Sequence, residues 1–251
     1  MESEMERYIW NIFGWPEREI IHTGLFQVEG AKISKSKSKQ EVISGTYAGW
    51  DDPRTWSLQS LQRRGIRPEA LRAFCLNLGM TQTEAKIPID VLYAENKKIV
   101  EKTANRYFFV EDPKKITLKN APTKDAFVPL HPDFKERGQR PFHTTKEFYV
   151  QDTLAKDAVY RLMHLFNFKN LTFISESLDE KLHAKMIHWL PANKDLVPVE
   201  VFMPDGTWKK GLGEPALHTV KVGEVLQFER FGFCRCDQKT KEKMVFWFSH
   251  R

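Results

Sequence analysis

The chain is organised around a basic segment that reads Lys32-Ile33-Ser34-Lys35-Ser36-Lys37-Ser38-Lys39. Four ammonium groups and three hydroxyl groups fall within these eight residues, and no apolar periodicity marks a face for burial. The pattern predicts a basic loop. Mobile lysine charges and serine hydroxyl donors suit the binding of a polyphosphate. A solvated linker or a basic surface patch is the alternative interpretation, because tracts rich in serine and lysine often form one.

Two short helices are predicted after this segment, within residues 50–80. Thr55 is a suitable N-cap for the first helix, Gly65 ends it, and Pro68 stands where the second helix can begin. The second helix has an apolar face formed by Leu71, Phe74, Cys75 and Leu78. A further, less amphipathic helix is predicted over residues 90–102.

The basic side chains of the two short helices are all arginines, namely Arg54, Arg63, Arg64, Arg67 and Arg72. The planar guanidinium fork matches the geometry of a phosphate group better than an ammonium group does. These helices are therefore candidates for contact with a phosphate-rich partner. For Arg72, an ordinary solvated helix face is the favoured interpretation.

Several blocks of this sequence resemble a known family. Lys32-Ile33-Ser34-Lys35-Ser36 resembles the KMSKS signature of class I aminoacyl-tRNA synthetases, with isoleucine in the methionine position. The blocks that follow resemble, in order and spacing, the segment after that loop in glutamyl- and glutaminyl-tRNA synthetases: Gly49-Trp50-Asp51-Asp52-Pro53-Arg54, Arg63-Arg64-Gly65-Ile66 and Leu71-Arg72-Ala73-Phe74-Cys75. Archaeal-type glutamyl-tRNA synthetases are the most similar, and the likeness continues through Pro129-Leu130-His131-Pro132, Arg161-Leu162-Met163-His164-Leu165-Phe166-Asn167 and Gln227-Phe228-Glu229-Arg230-Phe231-Gly232-Phe233.

The resemblance implies a multi-domain fold. Residues 1–48 would form the C-terminal end of a Rossmann-type catalytic domain, with the KMSKS-like loop. Residues 49–104 would be a helical connector that contacts the tRNA stem, and residues 105–251 an anticodon-binding domain of two β-barrels. The fold class is therefore an α/β remnant, a helical connector and an all-β region.

Local patterns agree with this division. An amphipathic helix is predicted near residues 4–13, followed by short strands at residues 20–22 and 25–28. From Arg106 onward, short β-like runs alternate with turn signals, a texture typical of barrels or sandwiches. The runs cover residues 106–110, 115–118, 127–130, 171–174, 197–202 and 225–228.

The resemblance also implies an ATP site. The loop of the family closes over ATP, carried with Mg²⁺ in the full-length enzyme, and its second lysine stabilises charge on the α-phosphate and the leaving pyrophosphate. That catalytic role falls on Lys35, within an ATP-binding set of Lys32, Ile33, Ser34, Lys35 and Ser36. A shifted register remains open, because Lys37 and Lys39 continue the pattern. No cofactor is expected to bind these residues tightly on their own.

Binding of tRNA is the second implied role. Sequence-specific RNA recognition stacks unpaired bases on aromatic or guanidinium planes and bonds their edges. If residues 227–235 form one alternating strand, Phe231 and Phe233 share one face and Phe228 and Arg230 the other. The candidate tRNA contacts are Arg54, Arg63, Arg64, Arg67, Arg161, Asn167, Arg230 and Arg235.

Composition agrees with a cytoplasmic, nucleic-acid-binding protein. The 251 residues carry a formal net charge of +6, 41% are hydrophobic, and no apolar run is long enough to span a membrane. The acidic start, Met1-Glu2-Ser3-Glu4, argues against a signal peptide. Core packing is favoured over metal binding for Cys234 and Cys236, and no metal site is predicted.

The chain shows no convincing HIGH motif, which the family pairs with the lysine loop. His22-Thr23-Gly24-Leu25 is the nearest string, but a strand-like run follows it instead of a helix. The chain is therefore expected to be the C-terminal part of a glutamate–tRNA ligase, inactive alone. A glutaminyl-tRNA synthetase fragment and a stand-alone synthetase-derived RNA-binding module are the alternatives.

Overall fold

The computed structural model describes residues 2–31 and 33–251, so Lys32 lies outside the described residues. The helices are α1 Glu2–Phe13, α2 Lys35–Ile43, α3 Leu58–Arg64, α4 Pro68–Leu78 and α5 Asp90–Val100. The strands are β1 Phe26–Glu29, β2 Ala85–Pro88, β3 Arg106–Tyr107, β4 Phe109–Glu111, β5 Lys114–Thr117, β6 Lys124–Pro129, β7 Gln139–Thr144, β8 Glu147–Val150, β9 Val159–Leu162, β10 Asn167–Lys169, β11 Thr172–Ser175, β12 Lys185–Ile187, β13 Leu190–Pro191, β14 Val197–Phe202, β15 Trp208–Gly213, β16 Val225–Phe228, β17 Gly232–Lys239 and β18 Met244–His250.

The first helix, α1, begins and ends close to the predicted bounds, but it buries none of its residues. Strand β1 confirms the prediction over residues 25–28, and it pairs in parallel with β2, far along the chain. Residues 20–22, predicted as a strand, have no strand partner among the described residues. Two isoleucines and a histidine are compatible with strand geometry, but no described segment of the chain pairs with them.

The lysine segment is not wholly a loop, so that prediction was wrong from Lys35 onward. Ser34 has an extended backbone, its hydroxyl accepts from the N–H of Lys37 at 3.5 Å, and α2 begins at the next residue. Lysine, glutamine and glutamate are good helix formers, and a capped helix needs no apolar stripe. The absence of apolar periodicity was therefore a poor guide, because only Ser38 of α2 is buried.

Helices α3 and α4 confirm the predicted pair. Gly65 ends α3 with φ +88°, and Pro68 is the first residue of α4. The predicted N-cap was wrong, because Ser57 caps α3 while Thr55 ends a 3₁₀ turn that Asp52 caps. The left-handed residue between them, Trp56, separates the turn from the helix. A small core of Leu61, Ile66, Phe74 and Leu92 joins α3, α4 and α5, whereas Cys75 is exposed.

The β region contains two apolar cores. The first is surrounded by the sheets β11-β10-β9-β12, β13-β8-β5 and β6-β7, with Trp189 fully buried at its centre. The second lies within a seven-stranded sheet in the order β3-β16-β17-β18-β14-β15-β4. The six predicted β-like runs all overlap observed strands.

The seven-stranded sheet is strongly curled. Its two edges, β3 and β4, are separated in sequence by Phe108 alone, so one stretch of chain supplies both edges. Side chains alternate along this stretch. Phe108 and Val110 enter the first core, whereas Tyr107 and Phe109 enter the second. Residues 106–111 therefore form the wall between the two cores.

The prediction of one alternating strand over residues 227–235 was wrong. Strand β16 ends at Phe228, Arg230 has φ +63°, and β17 starts at Gly232. The left-handed residue reverses the chain, so Phe228, Phe231 and Phe233 do not follow a two-residue alternation. Phe228 belongs to the second core and Phe231 packs against it. Cys234 and Cys236 are both buried in that core, as predicted.

Candidate functional site

The start of α2 carries the lysines of the signature-like segment. Lys35, Lys37 and Lys39 are exposed, and within the described residues none of them has a carboxylate partner. The N-terminal end of a helix is itself an anion site, because free N–H groups and the helix dipole point outward. Exposed ammonium groups and this helix end therefore create a positive region around Lys35. Ser36 and Ile33 are exposed beside it.

Arg54 contacts the segment that directly follows α2. Its Nε and Nη2 donate to the two carboxylate oxygens of Asp52 at 2.8 and 2.7 Å, and Nη2 also donates to the carbonyl of Thr46 at 3.0 Å. Asp52 is 1% exposed, and the hydrogen bonds from Arg54 help to hold its carboxyl pKa below the usual value, against the raising effect of burial. The Arg54 guanidinium is thus engaged within the chain, and its tRNA contact stays a prediction.

Arg63 and Arg64 connect α3 to the curled sheet. Arg63 forms a bidentate pair with Asp237 at 2.7 Å and lies 3.8 Å above the Trp247 ring. Arg64 is 0% exposed and donates to the carbonyl groups of Phe248 and Ser249. Burial favours a structural role for Arg64, and RNA contact by either arginine remains a prediction.

An arginine groove of about 830 Å³ opens between α3, α4 and the curled sheet. Its basic side chains are Arg67, the N-cap of α4, Arg72 within α4, and Arg235 on β17. Within the described residues, no carboxylate lies within ion-pair distance of any of the three. The groove floor is apolar and includes Leu61, Ile66, Leu71, Pro68 and Val225. Arg72, which the sequence favoured as ordinary surface, is therefore part of this groove.

Arg161 and Asn167, two further candidates, lie side by side on β9 and β10. Arg161 Nη1 donates to Asn167 Oδ1 at 3.1 Å and to the carbonyl of Ser177 at 3.1 Å. Asn167 also donates to that carbonyl, at 2.7 Å. Asn167 is 1% exposed and Arg161 is 9% exposed. The pair shapes the loop after β11, and base contact by either side chain stays a prediction.

Arg230 occupies the turn between β16 and β17. It forms a bidentate pair with Asp152 at 2.7 and 2.8 Å, which lowers the pKa of that carboxyl. Burial, assisted by the Arg230 charge, lowers the pKa of the neighbouring His188 to about 4. His188 is therefore neutral at physiological pH. The cluster lies where the two β cores meet, because His188 stands between Ile187 and Trp189 of the first core, whereas Arg230 follows β16 of the seven-stranded sheet.

A buried charge cluster at the same junction was missed by sequence reasoning. Arg140 of β7 is 2% exposed and contacts two glutamates that directly follow β15 and β16, Glu214 at 2.5 Å and Glu229 at 3.3 Å. Burial raises the pKa of Glu214 to about 7, although Arg140 and the N–H of Phe108 pull it downward. No local pattern marks these residues, because the partners are 74 and 89 residues apart.

Two further properties concern the described residues as a whole. They contain no group of three or more His, Cys, Asp or Glu side chains arranged to hold a metal ion. Among helices α1 to α5, none has the length and apolar run that crossing a membrane requires.

Three family models match successive parts of the chain. The catalytic domain of class I tRNA synthetases (E and Q) matches residues 2–102. Two models of the anticodon-binding domain of the same class match residues 104–187 and 186–237. The first boundary coincides with the change from helices to strands.

Curated relatives of the chain are named glutamate–tRNA ligases. The Methanocaldococcus jannaschii protein is 39% identical over 100% of this chain and 47% of its own length. The proteins of Methanococcus maripaludis and Pyrococcus abyssi are 37% and 39% identical, over 47% and 46% of their own lengths. The chain thus spans about half the length of the curated relatives it matches.

Proposed function

Because the chain belongs to the class I tRNA synthetases of the E and Q type, we propose that it supplies the lysine segment and the tRNA-binding part of a glutamate–tRNA ligase. The observation that carries the proposal is the placement of basic side chains that have no carboxylate partner among the described residues. They stand at the start of α2 and along the arginine groove, whereas Arg54, Arg63, Arg140 and Arg230 all have carboxylate partners. The two regions suit a nucleotide phosphate and an RNA backbone.

Lys35 is the proposed catalytic residue. In the activation step a carboxylate oxygen of glutamate attacks the α-phosphorus of ATP, a new P–O bond forms, and the bond to the β-phosphate oxygen breaks to release pyrophosphate. Negative charge grows on the α-phosphate and the leaving group. A fixed cation at that place stabilises the transition state more than the ground state. Lys32, Ile33, Ser34 and Ser36 complete the proposed ATP contacts.

The arginine groove is the proposed site for the tRNA backbone. Arg67, Arg72 and Arg235 can each donate two hydrogen bonds to a phosphate, and the apolar floor can accept ribose. Contacts by Arg54, Arg63, Arg64, Arg161, Asn167 and Arg230 remain part of the proposal. We retain residues 1–48, 49–104 and 105–251 as the proposed catalytic end, connector and anticodon-binding domain, the last with two barrels.

Binding of tRNA transcripts across a salt series tests this function. Glutamate, glutamine and unrelated tRNAs are compared with anticodon-swapped versions, and specific readout predicts that affinity follows the anticodon as salt rises. Arg72→Ala is expected to weaken binding of all transcripts about fivefold and to reduce the salt slope by about 1. Arg7→Ala is the matched control, because Arg7 is an exposed arginine outside the groove.

Equal binding of every transcript, with loss at moderate salt, would overturn anticodon reading and favour a stand-alone RNA-binding module.

ATP–pyrophosphate exchange tests the catalytic role. The chain alone is expected to be inactive. In a full-length ligase that contains this sequence, Lys35→Ala is expected to lower the exchange rate about 100-fold or more. An unchanged rate would remove Lys35 from the mechanism.

A further inference from the structure

Helix α2 has almost no apolar attachment to the rest of the chain. Ser38 is its single buried residue, and Ile43, its last residue, is 75% exposed. Helices in proteins normally owe their fixed orientation to an apolar face packed on a core. Polar contacts of the segment that follows the helix therefore contribute to the orientation of α2, and with it of Lys35.

Arg54 is the centre of that attachment. It donates to the carbonyl of Thr46 and lies 4.3 Å from the ring centroid of Tyr47, so it holds the chain just after α2 from two sides. Its bidentate pair with the buried Asp52 fixes the guanidinium plane. The Asp52 carboxylate also accepts from the N–H of Ala48 at 3.3 Å. The planar Arg54–Asp52 ion pair thus fixes the backbone just after the C-terminal end of α2.

The other side of Arg54 faces the β14–β15 hairpin. The Phe202 ring centroid lies 5.9 Å from the guanidinium carbon, and Phe202 itself stacks on Trp208 at 4.5 Å. At the hairpin turn, a Cβ added to Gly206 would come within 2.9 Å of Arg54 Cδ. The arginine therefore fills the space between the segment after α2 and a hairpin about 150 residues further along the chain.

We propose that Arg54 is a positioning residue that couples the orientation of the lysine-bearing helix α2 to the β14–β15 hairpin. The functional meaning of this coupling rests on the proposed function, in which Lys35 acts on ATP. A displacement of the hairpin moves Arg54, and Arg54 in turn moves Thr46 and Tyr47, which follow the C-terminal end of α2. A lysine cannot replace it, because one ammonium group cannot bond both Asp52 oxygens in a plane and stack on Tyr47.

Backbone ¹⁵N relaxation of the whole chain tests the coupling. In the wild type the amides of residues 36–47 are expected to have order parameters of about 0.85, as in the rigid core. In Arg54→Lys they are expected to fall below about 0.6, with the order parameters of the strands around the first core unchanged. The matched control is Arg230→Lys, which removes another bidentate pair with an aspartate but lies away from α2.

A glycine pair tests the hairpin side without altering Arg54. Gly206→Ala and Gly138→Ala both put an alanine at positive φ, +88° and +89° respectively. The Gly138 change is the control for backbone strain, because its ψ of −168° places it in a region that essentially only glycine adopts. Only the first places a Cβ against Arg54, since nothing lies within 4 Å of a Cβ at Gly138. Gly206→Ala is expected to lower the order parameters of residues 36–47, and Gly138→Ala to leave them unchanged.

Unchanged relaxation of α2 in both Arg54→Lys and Gly206→Ala would overturn the proposal. A loss of order spread evenly over all helices and strands would also overturn it, because that is the signature of general destabilisation. The result is independent of the proposed function. If α2 responds as expected but Lys35→Ala leaves ATP–pyrophosphate exchange intact, the coupling stands and the catalytic role of Lys35 fails.

Discussion

The helical region before residue 104 and the β region after it are held together by different forces. The helical core contains four buried apolar side chains, and α1 adds none. The β region has two large cores, in which aromatic rings such as Trp189, Phe148 and Phe228 are fully buried. Apolar burial therefore dominates the β region, whereas in the helical region smaller apolar clusters are supplemented by polar contacts such as those of Arg54.

A matched pair of tryptophans gives the largest expected difference between the two regions. Trp189 is fully buried against Phe108, Phe142 and Phe148, and its indole donates to the carbonyl of Met163. Trp189→Ala is expected to lower the free energy of unfolding by about 4 kcal/mol, through lost burial and a cavity. Urea denaturation measures the change.

The control for this pair is Trp15→Ala, which removes a ring that is 57% exposed just after α1. Its expected effect on the free energy of unfolding is below about 0.5 kcal/mol. A cost above about 2 kcal/mol at this position would break the comparison, because it would show that apolar packing also holds the start of the chain.

The next effect concerns Glu214 at the junction of the two β cores. With its folded-state pKa near 7, Glu214 keeps a proton in the folded state at pH values where the unfolded chain has released it. The folded state therefore binds more protons between about pH 4.5 and 7, and the contribution of Glu214 to stability is lost as pH rises through that range.

Glu214→Gln removes this titration, so its stability relative to wild type is expected to improve by about 2 kcal/mol between pH 5 and pH 7. Comparison with wild type at each pH is needed because His188, whose pKa is lowered to about 4, gives the opposite dependence in the same range. A difference that does not vary with pH would show that Glu214 ionises in the folded protein as it does in water.

The smallest effect tests the polar contacts between the helical region and the curled sheet. Asn96 of α5 is 0% exposed, accepts from the N–H of Arg67 and bonds His250 Nε2. Asn96→Ala is expected to lower the free energy of unfolding by about 1.5 kcal/mol, because it leaves buried polar groups unpaired. Asn77→Ala, at an exposed site on α4, is the control and should change it by less than about 0.5 kcal/mol. Equal effects at the two sites would show that the buried hydrogen bonds of Asn96 add nothing to stability.

Elements whose signals are local could be predicted from the sequence. Gly65 and Pro68 mark the end of α3 and the start of α4, because helix caps depend only on nearby backbone. The reversal at Arg230 was missed, since an arginine with positive φ is uncommon and nothing in its neighbours announces it. The start of α2 was missed because its cap was hidden in a repetitive serine and lysine tract.

The sequence predicts which residues could form a binding site, but not which of their polar groups lack partners within the described residues. Lys35 and Arg67 are exposed, which agrees with the predicted roles. Arg63, by contrast, meets Asp237 at a separation of 174 residues, and Arg64 meets the carbonyls of the last strand. Whether an arginine is available to a ligand depends on such distant partners. Periodicity and spacing carry no information about them.

Strands β3 and β4 belong to one stretch of chain, residues 106–111, and this affects the order in which the two β cores can fold during synthesis. This stretch forms both edges of the curled sheet, yet its partners in β15 and β16 follow about 100 residues later. Strand β18, at the end of the chain, fills the middle of the same sheet. The first β core can close once residue 190 has left the ribosome. The second must wait until residues 244–250 of β18 have also been synthesised, with Tyr107 and Phe109 exposed to solvent until then.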